Sequence, residues 1–339
     1  MNNLALYATS VLVWGSTWLI INYQLGEVAP EVSVVYRYAI AAALLFAWML
    51  ARGLQIRYSL HAHMRFFMLG LLLFSFNYIA TYSAQQYIPS ALNAVAFSSM
   101  MWMNVINSRV FFGTRIEPRL WFGALLGLAG IITLFWPQIS HISLTDKVLL
   151  GGALSLSGAF LASLGNMMSK SSQQSGLPII QANAWGMLYG TLITAAVAWR
   201  RDIPFNFDFS FPYVSSLLYL SVFGSIVAFG AYLKLVGRIG PHKAGYVVVM
   251  FPVVAVVLSL MFEGISITVT DICGISLVLA GNLAVLGKWR YGPRIRAWLD
   301  HQKHYWLDRK VVVSKCTPRI SAGVRHSLSH VSDHSLHRS

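Results

Sequence analysis

One arginine, Arg37, lies about five residues into an otherwise apolar stretch that runs from Val32 to Leu50. At 1.5 Å of rise per helical residue, that puts its Cα roughly 8 Å below the start of the stretch. A guanidinium is planar, permanently charged and rich in donors, so it suits a carboxylate. A charge at such depth is costly and marks a functional site by default. A bound substrate anion is one role for it. The other is structural: the side chain snorkels to the outer headgroups, or pairs with Glu27 or Glu31 at the same face.

Aromatic residues form a second group. Trp14, Trp18, Tyr78, Tyr82, Trp102, Tyr232 and Tyr246 could line an amphipathic cavity for organic molecules. Core packing and interfacial belts use the same residue types. Asn77, Ser98, Ser99, Asn104, Asn107 and Asn166 are polar groups at apolar depth. Each needs a partner in hydrocarbon, either a substrate or a neighbouring helix. Pro252 falls in mid-segment, where it removes a backbone donor and could serve as a hinge. Glu263, at the end of the same segment, is a gating candidate or a cap.

Catalytic chemistry is poorly supplied. The sequence has no His-Glu-x-x-His, no paired acids at depth and no Cys-x-x-Cys, so an intramembrane enzyme has little to work with. No cofactor or metal site is expected. None of the ten histidines falls within an apolar stretch, and a proton relay usually needs such groups. Facilitated diffusion or exchange is therefore expected over strong proton coupling.

The elements that would carry these residues are membrane helices. The chain is 56% hydrophobic and 11% charged, with a mean hydropathy of +0.60, where soluble domains carry roughly 25% charged residues. A spanning helix needs ~20 mostly apolar residues. Ten windows qualify, at about 4–22, 32–50, 66–85, 92–112, 120–136, 148–168, 180–199, 213–235, 244–263 and 268–287. Runs such as Leu69-Gly70-Leu71-Leu72-Leu73-Phe74 are apolar on every face, which argues for helices over barrel strands. The first window lacks a basic leader and a small-x-small cleavage site, so it reads as a retained span. Cys273 and Cys316 imply no disulfide framework.

Basic residues mark cytoplasmic loops. With the N-terminus inside, 21 Lys/Arg fall on the cytoplasmic side and three outside, with Arg37 in a span. Both termini are then cytoplasmic. Much of the +14 net charge sits in the tail, which has eleven Lys/Arg and three Asp from Lys288 onward. Its position after the last span makes nucleic acid an unneeded explanation. Residues 293–310 read as an interfacial helix on anionic lipid, and 316–339 as disordered.

The halves repeat. Tyr82, Ala94, Met100 and Phe112 recur 150 positions later as Tyr232, Ala244, Met250 and Phe262. Gly123 and Leu128-Ala129-Gly130 recur at 151 as Gly274 and Leu279-Ala280-Gly281. The uncharged connection 86–92 answers to a basic one at 236–243. The basic connection 114–119 answers to 265–271, which lacks Lys and Arg. Equivalent loops thus face opposite sides. The expectation is an all-α integral membrane fold of ten helices, as two inverted five-helix repeats at 4–137 and 148–287, followed by the basic tail 288–339. Gly123-x-x-x-Gly127 and Gly186-x-x-x-Gly190 permit close helix packing.

On Trp14-Gly15-Ser16-Thr17-Trp18, Arg37, Tyr82 to Gly130, Gly224-Ser225 through Phe251-Pro252, Phe262-Glu263-Gly264 and Gly274 through Gly281, the chain resembles the EamA-type transporters of the drug/metabolite transporter superfamily. The resemblance covers about residues 4–287. It implies a bacterial inner-membrane carrier that exports or exchanges amino acids and related metabolites through a central cavity lined by both halves. Two positions depart from internal symmetry. Trp102 stands where the second half has Pro252, and Gly113 where it has Glu263, so the first half should kink less. A homodimer is a possible assembly. A channel, a non-transporting scaffold or an intramembrane enzyme are the competing readings.

Overall fold

The computed structural model describes residues 1–286 except 89, 137–139, 141–144, 252, 255–256 and 258–267. Among the described residues the regular structure is entirely helical. The helices are α1 (Asn3–Ile21), α2 (Pro30–Ala51), α3 (Leu60–Gln85), α4 (Ser90–Phe97), α5 (Met100–Phe112), α6 (Pro118–Leu134), α7 (Asp146–Gln174), α8 (Ile179–Arg200), α9 (Phe211–Ile239), α10 (Pro241–Ala244), α11 (Tyr246–Val249) and α12 (Val269–Leu286). They belong to one compact unit, Met1–Gly287.

Local sequence sets the ends. Pro30 and Pro118 open α2 and α6, where a missing N–H costs nothing. Ser59, Thr145 and Ser210 cap α3, α7 and α9 by accepting from Ala62, Val148 and Tyr213 backbone N–H groups. Gly113, at a φ of 62°, ends α5 in the left-handed conformation that glycine tolerates.

Four helices, α2, α3, α7 and α9, are long and apolar enough to cross a bilayer by length and composition. Trp48, Leu125, Leu192, Phe223 and Leu283 project outward, while Ser10, Asn104, Asn166 and Ser225 are buried inside. Apolar skin over a polar interior reverses the arrangement of a soluble protein and suits hydrocarbon solvent.

Three features depart from the expected spans. The α3 helix starts at Leu60, ahead of the window at 66, because Ser59 caps it and His61, His63 and Arg65 can extend the helix into a polar layer. The window 92–112 is interrupted at Ser98-Ser99, between α4 and α5. Within α3 and α9 the backbone widens into π-helical turns, at Gly70–Phe76 and Leu220–Val227. These segments begin 150 positions apart, the spacing of the sequence repeat. Such π turns release i→i−4 hydrogen bonds and often mark functional sites.

Two helix pairs are antiparallel. Gly123 of α6 faces Gly281 of α12, and Gly130 faces Gly274: a Cβ at Gly123 or Gly130 would come within 2.7 Å of the opposing carbonyl oxygen. Only bare backbone fits so close a crossing. In the other pair, Phe46 of α2 packs edge-on against Trp185 of α8 at 5.0 Å, and Val32 shares a buried cluster with Ala198 toward the other end.

Candidate functional site

A cavity of about 80 Å³ lies between α1, α2, α3, α5, α7 and α9. Of the sequence candidates, Trp14, Arg37, Asn77, Tyr78, Tyr82, Asn166 and Tyr232 line it. Both halves of the chain contribute to this wall.

Arg37 is 1% exposed. Its Nε donates to the Ser225 hydroxyl at 2.9 Å. Ser225 in turn donates to the Leu220 carbonyl five residues back, across the π turn of α9. The guanidinium carbon lies 4.9 Å from the ring centroid of Tyr78 and 5.4 Å from that of Tyr38. Tyr82 stands beside it as well. Of its two terminal nitrogens, Nη1 is buried without a hydrogen-bond partner. This geometry excludes both structural roles anticipated from sequence. The side chain does not reach the surface, and Glu31 is taken by Arg201 at 3.1 Å near the bundle's end. Neither ion pair among the described residues includes Arg37. Two cation–π contacts and one hydroxyl offset part of the cost of burying a charge, each by about 0.5–2 kcal/mol. The desolvation of the ion still costs several kcal/mol, so an anion entering the cavity would find a strong site.

Trp14 is fixed by its indole N–H, which donates to the Gly224 carbonyl at 2.9 Å, again in the π turn. Its ring meets Phe229 at 4.7 Å, Tyr232 at 5.0 Å and Phe251 at 5.9 Å. This aromatic box gives the cavity its apolar wall. At its margin Asn166 donates to the Tyr232 hydroxyl at 3.0 Å and to Asn104 Oδ1 at 3.2 Å, and its own Oδ1 is unpartnered. Asn77 donates weakly to Leu73 at 3.3 Å and receives Thr81. Asn104 and Asn107 find their partners on a neighbouring helix, Asn166 and Ser163 of α7.

Three candidates stand away from the cavity wall. Tyr246 donates to the Leu120 carbonyl at 2.5 Å within a second cluster between α5, α6, α11 and α12. Trp102 packs on Trp121 at 4.9 Å in the same region. Ser98 is buried at the α4–α5 break. The side chain of Trp18, together with Pro252, Glu263 and the tail 288–339, lies outside the described residues. Sequence reasoning did not single out Thr17, Thr81, Phe229 or Phe251, which also line the cavity. Phe229 had a usable signal, since it lies three residues before Tyr232 and so shares its face of α9.

Beyond the cavity wall, side chains of α7 bond the backbone of α9. Lys170 Nζ donates to the Gly237 carbonyl at 2.5 Å, and Gln173 Nε2 to the Leu233 carbonyl at 2.9 Å. Gln24 donates to Ser216 at 2.5 Å and to the Tyr213 carbonyl at 3.0 Å. Among the described residues no three His, Cys, Asp or Glu gather as a metal site would need.

An apolar-skinned helix bundle with a buried arginine in an aromatic-walled cavity fits a multi-pass membrane protein. The family model described as the EamA-like transporter family matches residues 3–136 and again 149–287, and the chain belongs to that family. It is similar to an uncharacterized inner membrane transporter, YedA, of Escherichia coli (strain K12), at 29% identity over 85% of this chain and 91% of the relative. It is 22% identical to an uncharacterized transporter, YoaV, of Bacillus subtilis, over 80% of this chain and 91% of that one. Protein PagO of Salmonella typhimurium is 24% identical over 82% and 93%. A solved crystal structure aligns with a TM-score of 0.70 at 19% identity, covering 83% of this chain and 94% of its own. At that identity the likeness concerns the fold alone.

Proposed function

We propose that this transporter is a carrier that exports or exchanges small organic metabolites, amino acids and related acids among them, by alternating access across a bacterial inner membrane. The observation that carries this reading is the buried guanidinium of Arg37, without an ion-pair partner, on the wall of an aromatic cavity. An anchored cation inside apolar walls is a binding site, and a binding site between two halves of a bundle is what a carrier requires.

The ten spans form two inverted repeats in this reading, at 4–137 and 148–287. Two observations support the inversion. Helices that correspond by sequence, α6 with α12 and α2 with α8, pack antiparallel to one another. The family model also matches once in each half. Two near-equivalent halves have inward-open and outward-open arrangements of similar energy. The loop charges put both termini in the cytoplasm. The basic tail 288–339 then meets anionic lipid, and a homodimer is a possible assembly.

Counterflow in proteoliposomes tests the proposal. Vesicles preloaded with an unlabelled metabolite should accumulate the labelled one transiently, saturably and without a pH gradient. Non-saturable flux would indicate a channel, and flux that collapses without a pH gradient would indicate proton coupling.

A further inference from the structure

Every carboxylate among the described residues sits at a helix end or in a connection. Glu31, Asp146 and Asp271 occupy first turns, Glu117 is an N-cap, and Glu27, Asp202 and Asp208 lie between helices. The chamber, by contrast, has one charged side chain among its described lining residues, Arg37. The Nε edge of that guanidinium is occupied by Ser225, and Nη1 has no partner. Among the described lining residues the positive charge has no counter-ion. Elsewhere its described wall offers rings and neutral polar groups, among them Asn77, Thr81 and the unpartnered Oδ1 of Asn166.

We infer that the chamber selects a monoanion: a small organic acid with one carboxylate on Arg37, an apolar body against Trp14 and Phe229, and a neutral donor such as a hydroxyl toward Asn166. A zwitterion of the same skeleton is disfavoured. Its carboxylate gains the same contact, but its ammonium must shed water in a cavity that already holds a cation and, among its described lining residues, offers no carboxylate. Discrimination comes from that unpaired second charge rather than from shape. This inference rests on the reading of the chamber as the transport site, and narrows its substrates from amino acids in general to hydroxy and simple carboxylic acids.

The test is ligand binding to the purified full chain in lipid nanodiscs, read by thermal shift across concentration, with matched compounds. One set is 3-phenyllactate, phenylalanine and 2-phenylethylamine. A second is 2-hydroxyisocaproate, leucine and isoamylamine. The hydroxy acid in at least one set should bind about tenfold or more tighter than its amino acid, a gap of about 1.4 kcal/mol at the tenfold limit, and the amines should not bind. Arg37→Gln should abolish the difference. An amino acid that binds as tightly as its hydroxy acid overturns the charge selection and leaves the carrier reading standing. Binding of no carboxylate in either set overturns the chamber as an acid site and removes the main support of that reading too.

Discussion

Ser225 holds Arg37 through a 2.9 Å hydrogen bond from Nε, and spends its own proton on the Leu220 carbonyl inside the π turn of α9. The first half contains the counterpart: Ser75, 150 positions earlier, accepts from Thr194 of α8 at 2.8 Å. In each case a helix of one half reaches across to pin the π turn of the other. The two ties differ in kind. Thr194 is fully buried, so its tie is neutral and sealed. Arg37 is charged and faces the chamber.

This difference sets the first expectation. Thr194→Val removes a buried hydroxyl contact and should cost about 1–2 kcal/mol of stability, seen as a lower thermal midpoint, with ligand affinity unchanged. Ser225→Ala should lower both stability and binding. It leaves the buried Arg37 Nε without its acceptor, costing about 1–3 kcal/mol, and frees the guanidinium from its fixed position, so ligand affinity and flux should also fall several-fold.

Arg37→Gln should abolish saturable transport without unfolding the protein. The substitution deletes an unpaired buried charge, so the thermal midpoint should hold or rise. Arg37→Lys keeps the charge and loses the planar fork, and should raise KM by about tenfold or more with a smaller effect on kcat.

The glycine crossing between α6 and α12 makes a contrasting prediction. Gly130→Ala places a Cβ 2.7 Å from the Gly274 carbonyl oxygen and from the Val278 backbone nitrogen, so it should destabilise by about 1–3 kcal/mol. Gly152→Ala meets nothing within 4 Å and should stabilise α7 by up to about 1 kcal/mol. Unfolding midpoints in one detergent compare the two directly.

His242, in the connection that carries α10, has its pKa lowered to about 4 by burial first, then by Lys243 and Lys170, with Glu117 opposing. The unfolded chain therefore binds this proton at higher pH than the folded one. Stability from this group is fully present above the ordinary histidine range near 6.5 and is lost as pH falls toward about 4. His242→Gln should flatten the acid slope of the thermal midpoint within that window, and an unchanged slope would exclude His242 as its source.

Tyr246→Phe should cost about 1 kcal/mol and leave binding unaltered, because its hydroxyl serves Leu120 in the second cluster rather than the chamber.

Hydropathy located the helices because hydrocarbon demands long apolar runs, and the single buried cation was visible because a charge in such a run has no ordinary reason to exist. What could not be read was direction. Trp102, Tyr246 and Asn166 are alike in sequence terms, each a polar-capable residue at depth. Rotation about its own helix sends Asn166 to the chamber and the other two to the α6–α12 side. The π turns were illegible for a related reason, since a widened turn changes hydrogen bonding without changing composition. Phe229 was overlooked because a phenylalanine in an apolar span stands out only through its spacing from Tyr232 on the same helical face.

The α6–α12 contact is its own mirror: Gly123 meets Gly281 as Gly130 meets Gly274. The two crossings are seven residues apart on each helix, roughly 10 Å along the axis. Losing one leaves the other intact, so damage at either glycine pair would not free the helices. It would convert a seam fastened at two places into a pair of levers swinging on a single fulcrum.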